Sequence, residues 1–99
     1  MLFKNYKTLS KIEVKEKLKD KNTILLDVRT EDEYYEKKLS ETINIPLDEL
    51  EERIAELNKE KTYITFCRSG IRSKTAALIL LEEGFRAVYN SQEGISTWE

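Results

Sequence analysis

The sequence predicts an α/β domain, a small and mostly parallel sheet of four to five short strands flanked by helices on both faces. Three observations predict it. Ile24-Leu25-Leu26 is apolar without alternation, as a strand covered on both sides should be, and Tyr63-Ile64-Thr65-Phe66 is a second strand-like run. Two helix-start patterns, Ser10-Lys11-Ile12-Glu13 and Thr30-Glu31-Asp32-Glu33, have capping-box spacing and put helices among the strands. The chain also holds no internal repeat or low-complexity segment, so strands and helices simply alternate.

In order, Ser10 caps a first helix in which Ile12, Val14 and Leu18 supply the apolar positions, ending near Asp20-Lys21-Asn22. Thr23 to Val28 is a buried strand. Thr30 caps a second helix with three carboxylates in its first turn, where the helix dipole favours them. Tyr34 and Tyr35 read as core and rim packing, and Asp27 with Arg29 as part of a structural ion-pair network, for example Arg29 with Glu33. Ile43-Asn44-Ile45-Pro46 is a short edge or connecting strand stopped by proline. Leu47, Leu50, Ile54 and Leu57 fall at helical spacing among acidic residues and predict one amphipathic helix. After the strand Tyr63 to Phe66, the run Lys74 to Glu83 is apolar all round and predicts a largely buried helix, stopped by Gly84. Ala87-Val88-Tyr89 is the last strand, and Gly94 to Trp98 a terminal helical turn in which Trp98 packs the domain shut.

The 99 residues are expected to form one domain over 1–99, able to bury about two-thirds of the unfolded chain's surface around a single core. With 17 basic and 19 acidic residues, a net charge of −2 and no long run of like charge, neither nucleic acid nor a membrane surface is an expected partner. Met1-Leu2-Phe3-Lys4-Asn5-Tyr6-Lys7 has no signal-peptide pattern, and the longest apolar run, Ala76 to Leu81, is too short to span a bilayer, so a cytoplasmic location is expected. One cysteine makes neither an internal disulfide nor a tetrahedral metal site. The absence of histidine excludes cysteine–histidine proteases, serine–histidine hydrolases and histidine-ligated zinc enzymes, all of which need an imidazole.

The chemistry concentrates in Cys67-Arg68-Ser69-Gly70-Ile71-Arg72-Ser73, between a strand and a helix. A lone cysteine ending an apolar strand is commonly an inert core residue. Here Gly70 allows a tight backbone, Ser69 and Ser73 suit a turn and an N-cap, and Arg68 and Arg72 frame the thiol with permanent positive charge. Backbone N–H groups without helical partners converge at such a turn, and the dipole favours an anion there, which would stabilise a thiolate and a charged group attached to it.

Together with Leu25-Leu26-Asp27-Val28-Arg29, Glu33-Tyr34, Ile43-Asn44-Ile45-Pro46 and Gly94-Ile95-Ser96-Thr97-Trp98, this loop resembles the rhodanese domain over nearly the whole chain. The resemblance implies a sulfurtransferase in which Cys67 carries a sulfane sulfur as a persulfide. The loop backbone from Arg68 through Ser69, Gly70 and Ile71 to Arg72, with Ser73 behind it, would be the cradle, and Arg68 and Arg72 the anion-attracting side chains. It further implies no metal or organic cofactor, a small sulfur-donor anion and a thiol or cyanide acceptor as partners, and a monomer.

The chain departs from that family in places. Lys37-Lys38-Leu39-Ser40-Glu41-Thr42 stands where relatives carry Gly-His-Ile-x-Gly-Ala, and Glu93 replaces the first of a glycine pair, which would put a carboxylate near the pocket mouth. Two other functions compete. A phosphatase or arsenate-type reductase needs Cys-x5-Arg around a tetrahedral oxyanion, whereas Cys67 and Arg72 give Cys-x4-Arg. A non-turnover persulfide carrier or regulatory module delivering sulfur to a partner protein would keep the same loop.

Overall fold

The computed structural model describes residues 5–39 and 41–98. The expectations that touch Met1 to Lys4, Ser40 and Glu99 lie outside the described residues. Five strands, β1 (Lys7–Leu9), β2 (Thr23–Asp27), β3 (Thr42–Asn44), β4 (Thr62–Phe66) and β5 (Ala87–Ser91), form one sheet in the order β1-β5-β4-β2-β3. Every pair is parallel, with Leu25 opposite Ile64 across the central pair and Ile64 opposite Tyr89 across the next. Parallel strands need crossovers, and these are supplied by α1 (Lys11–Lys17), α2 (Glu31–Glu36), α3 (Leu50–Arg53) and α4 (Ile71–Glu82), with α5 (Ile95–Trp98) closing the chain.

Alternation along the central strands splits the core between the two faces of the sheet. Leu26, Tyr63, Cys67 and Val88 pack with Leu50, Leu57, Ala76, Ala77, Leu80 and Phe85 on the α3–α4 face. Leu25, Ile64 and Phe66 pack with Leu9, Val14, Ile95 and Trp98 on the α1–α5 face. Trp98 stands edge-on to Phe66 with ring centroids 5.3 Å apart and so closes that layer, as its position predicts.

Both capping boxes form: Ser10 with Glu13, and Thr30 with Glu33. Gly84, at φ +89°, ends α4 in the left-handed conformation that glycine adopts without a Cβ penalty. β3 is an edge strand, as the proline after it suggests.

The fifth strand, β1, has no apolar run to announce it; only Leu9 of its three residues is buried. Three expectations are corrected. The single amphipathic helix expected over 47–57 is instead a 3₁₀ turn (Leu47–Glu49), α3 and a second 3₁₀ turn (Ile54–Glu56), with Leu50 and Leu57 carrying the fully buried contacts. α4 begins three residues before Lys74 and is not buried all round, since Ile71, Lys74, Thr75 and Leu78 face solvent while Ser73, Ala76, Ala77, Leu80 and Leu81 face the sheet. Ile12, expected inside, is 81% exposed, leaving Val14 as the buried anchor of α1.

Glu41 takes φ +60° in the stretch where relatives of the resembled family have a glycine. A side chain in that region costs roughly 1–2 kcal/mol, so the missing glycine is felt as local backbone strain.

Candidate active site

Because all strands run the same way, their carboxyl ends share one edge of the sheet, where ligands of open α/β sheets bind. Cys67 follows the last residue of β4 there. Its neighbours are the turn after β2 (Val28 to Thr30) and the segment after β5 (Gln92 to Ser96).

The Cys67 side chain is almost fully enclosed, 1% exposed, beneath a loop that folds back over it. Gly70 makes this possible. At φ +95° it occupies the N-cap of α4 and turns its N–H onto Sγ at 3.0 Å. The expected serine N-cap is therefore corrected: no side chain caps α4, and the helix starts on the glycine because the backbone must reverse over the sulfur. Ser73 acts one turn later. Its hydroxyl donates to the Gly70 carbonyl at 3.1 Å, and Sγ lies 3.5 Å from its Oγ as a thiol donor. On loss of the thiol proton that hydroxyl is free to turn and donate to sulfur instead.

Burial pushes the Cys67 thiol up, but hydrogen bonding outweighs it. The Ser73 side chain, then the backbone N–H groups of Ser73, Gly70 and Ser69, hold the thiol below its ordinary value. These are neutral donors, and the three amides among them are fixed in place by the backbone. They serve a thiolate and equally a terminal sulfur anion attached to it.

Other groups hold the loop in place. Thr65, a polar residue inside β4, donates from Oγ1 to the Ser73 carbonyl at 2.8 Å and lies 3.3 Å from Asn90 Oδ1, tying the first turn of α4 to the sheet. Behind the loop, Ile95 N–H donates to the Cys67 carbonyl at 3.0 Å, and Ser96 Oγ to the Arg68 carbonyl at 3.0 Å. Gly94 passes so close that a Cβ there would fall on the Arg68 carbonyl, which is why glycine stands at this position. Sequence reasoning assigned no role to Thr65, Ser96 or Asn90; the one signal was a threonine interrupting an otherwise apolar strand.

The arginines divide. Arg29 and Asp27 are both buried and pair side on, with Nε donating to both carboxylate oxygens at 3.0 Å and Nη2 to Oδ2 at 2.6 Å. Arg29 also donates to the carbonyls of Glu33 (3.1 Å) and Lys37 (2.6 Å), holding the C-terminal end of α2. The ion-pair network is present, but the carboxylate on Arg29 is Asp27 rather than Glu33. Glu33 binds Arg72 through two parallel bonds, Nη1 to Oε1 at 2.7 Å and Nη2 to Oε2 at 3.0 Å. Arg72, expected as an anion-attracting side chain, is thus turned toward α2 and paired with Glu33. Arg68 is exposed and lines a cleft of about 240 Å³ with Arg29, Glu33, Glu36, Lys37, Ile95 and Ser96. Glu93 is not among the lining residues, so the carboxylates at the cleft are Glu33 and Glu36. Ile71 projects into solvent, 74% exposed, beside a second cleft of about 430 Å³ shared with Thr8, Ser69, Gly70, Lys74 and Gln92.

The model of the rhodanese-like domain family matches residues 10–99. The chain belongs to that family. Thiosulfate sulfurtransferase GlpE of Coxiella burnetii is 33% identical over 94 residues, 95% of this chain and 88% of its own length. A Bacillus subtilis protein described as a putative sulfur carrier, YrkF, is 37% identical over 79 residues, 80% of this chain and 43% of its own length. Among solved structures, a rhodanese-related protein from Thermoplasma volcanium superposes with a TM-score of 0.84 at 30% identity, covering 94% of this chain and 90% of that one. The parallel sheet and its flanking helices are those of rhodanese-like structures.

Proposed function

We propose that residues 1–99 act as one rhodanese-like sulfurtransferase domain that moves a sulfane sulfur through a persulfide on Cys67. The observation that carries it is the enclosed sulfur under the Gly70 amide, its thiol held below the ordinary value chiefly by neutral donors. The Cys67 thiolate attacks the sulfane sulfur of a donor, the donor's S–S bond breaks, and the leaving group, sulfite from thiosulfate or a shortened polysulfide, departs with the bonding pair. The new Cys67 S–S⁻ group sits at the start of α4, where Ser69, Gly70 and Ser73 oppose its charge. A thiolate or cyanide then attacks the terminal sulfur, and the Cys67 thiolate leaves. Both steps are displacements at sulfur and call for a stabilised thiolate rather than a proton shuttle. In this reading Arg68 draws the donor in at the cleft, Ile71 and Ser69 form the rim, and Arg72 with Ser73 positions the loop. A monomer in a reducing, cytoplasmic setting suits a working thiol.

Intact-mass spectrometry after treatment with thiosulfate or polysulfide tests it. A single added sulfur is expected, reversed by cyanide or dithiothreitol and lost in Cys67→Ser; no adduct from any of these donors would sink the persulfide reading. The similarity to the described sulfur carrier favours a second role, a persulfide delivered to a partner protein rather than turned over. Multiple turnovers with a small thiol acceptor separate the enzyme from the carrier.

A further inference from the structure

Glu33 stands on α2, 39 residues before Arg72 and in a different element, yet both of its carboxylate oxygens hold that arginine. Oε1 takes Arg72 Nη1 at 2.7 Å together with the Thr30 N–H at 3.0 Å and the Thr30 hydroxyl at 3.1 Å, while Oε2 takes Arg72 Nη2 at 3.0 Å. The helix cap therefore fixes the carboxylate, and the carboxylate fixes the guanidinium. Arg68, four residues before Arg72, has no hydrogen bond or ion pair from its guanidinium among the described residues. Two arginines that look equivalent in sequence are thus in opposite states, one neutralised in a fork and one open at the cleft. Arg29 adds no further attraction, being neutralised by Asp27.

We infer that Glu33 determines donor specificity: by withdrawing Arg72 from the anion site it tunes the loop for donors with little charge beside the transferred sulfur, such as small hydropersulfides, over the thiosulfate dianion. This rests on the reading of Cys67 as the persulfide-forming residue. Arg72 remains close enough for its charge and that of Cys67 to be felt by each other, so releasing it changes what an incoming anion meets. Glu33 itself lines the cleft beside Arg68, so its charge acts on the donor as well. It does not touch the reacting atoms and is a positioning residue.

The experiment compares kcat/KM for thiosulfate and for 2-hydroxyethyl hydropersulfide, with cyanide as the common acceptor, in wild type, Glu33→Gln and Arg72→Gln. Glutamine preserves the capping-box bonds of α2 while ending the ion pair. Glu33→Gln should raise the thiosulfate value roughly threefold to tenfold, through KM and most strongly at low salt, and change the hydropersulfide value by less than about twofold. Arg72→Gln, which leaves Glu33 uncompensated at the cleft, should move the thiosulfate value the other way. Glu33→Asp keeps the charge but shortens the fork, and should show a smaller gain in the same direction if the glutamine variant does not fold. Equal changes for both donors, or an unchanged ratio in a protein whose Cys67 still loads sulfur, would overturn the inference alone. Failure of wild-type Cys67 to take sulfur from either donor would overturn the persulfide reading with it.

Discussion

The Cys67 thiol is held below its ordinary value chiefly by a small number of neutral contacts, of which the Ser73 hydroxyl is the one that a side-chain substitution removes. Burial alone would make the sulfur an inert core atom; the Ser73 hydroxyl and three amides reverse that. Ser73→Ala deletes the side-chain contact at 3.5 Å and the bond that braces the Gly70 carbonyl, leaving the amides. A hydrogen bond to a charged group is worth about 1.5–3 kcal/mol, and one this long sits at the weak end. The thiol should therefore titrate higher in the variant, and iodoacetamide should alkylate it roughly threefold to tenfold more slowly at neutral pH, where less is thiolate. At high pH, with both proteins fully ionised, the rates should converge. A constant rate difference at every pH would instead mean changed access to the sulfur. Much at this scale was legible in the sequence: the thiol, the glycine that turns the loop and the serine behind it all stand within seven residues. The fate of Arg72 was not, because its partner lies 39 residues away on α2 and only the fold brings the two together.

At the scale of elements, the crossover pattern is written in apolar runs and caps, so β2, β4, α1, α2 and the stop of α4 follow from local sequence. The elements that escape are those stabilised by neighbours. β1 carries one buried side chain and exists by pairing with β5. The 47–57 segment shows a helical period but must follow the sheet face, and two 3₁₀ turns absorb the bend. The segment from β5 into α5 is the element with most bearing on the site, since Gly94, Ile95 and Ser96 strap the underside of the Cys67 loop. Gly94→Ala would drive a methyl into the Arg68 carbonyl, a backbone atom that cannot swing aside as a side chain end could. Overpacking of this kind costs about 1–3 kcal/mol. Beyond that loss of stability, the carbonyls of Cys67 and Arg68 would shift and the amides above the sulfur with them, so persulfide formation should fall by roughly tenfold or more even well below the melting temperature. Urea melts beside single-turnover loading by mass spectrometry separate the two effects. A variant that is less stable but loads sulfur at the wild-type rate would show that the strap serves folding alone.

Across the whole molecule, the Glu33–Arg72 fork links α2, the crossover between β2 and β3, to the start of α4, the crossover between β4 and β5. Its carboxylate is pulled down from 4.5 to about 2, chiefly by the Arg72 hydrogen bonds and against the opposing effect of burial. A depressed carboxylate stabilises the fold above its unfolded value, so this contribution is complete above about pH 4.5 and is lost as pH falls toward 2. Glu13 and Glu56 are lowered as well, by Ser10 and Arg53, but both are fully solvated and add little to the slope. The Glu33 and Arg72 side chains keep 26% and 34% of their surface in water, which limits the pair to about 1 kcal/mol. Urea unfolding of wild type and Glu33→Gln across pH should then give curves separated by about that amount at neutral pH and meeting in the acid range. The glutamine cannot titrate, so the wild type alone carries the extra slope. A gap that stays constant down to pH 2.5 would show that Glu33 stabilises the fold through its cap and packing, with no stabilising charge pair between α2 and α4.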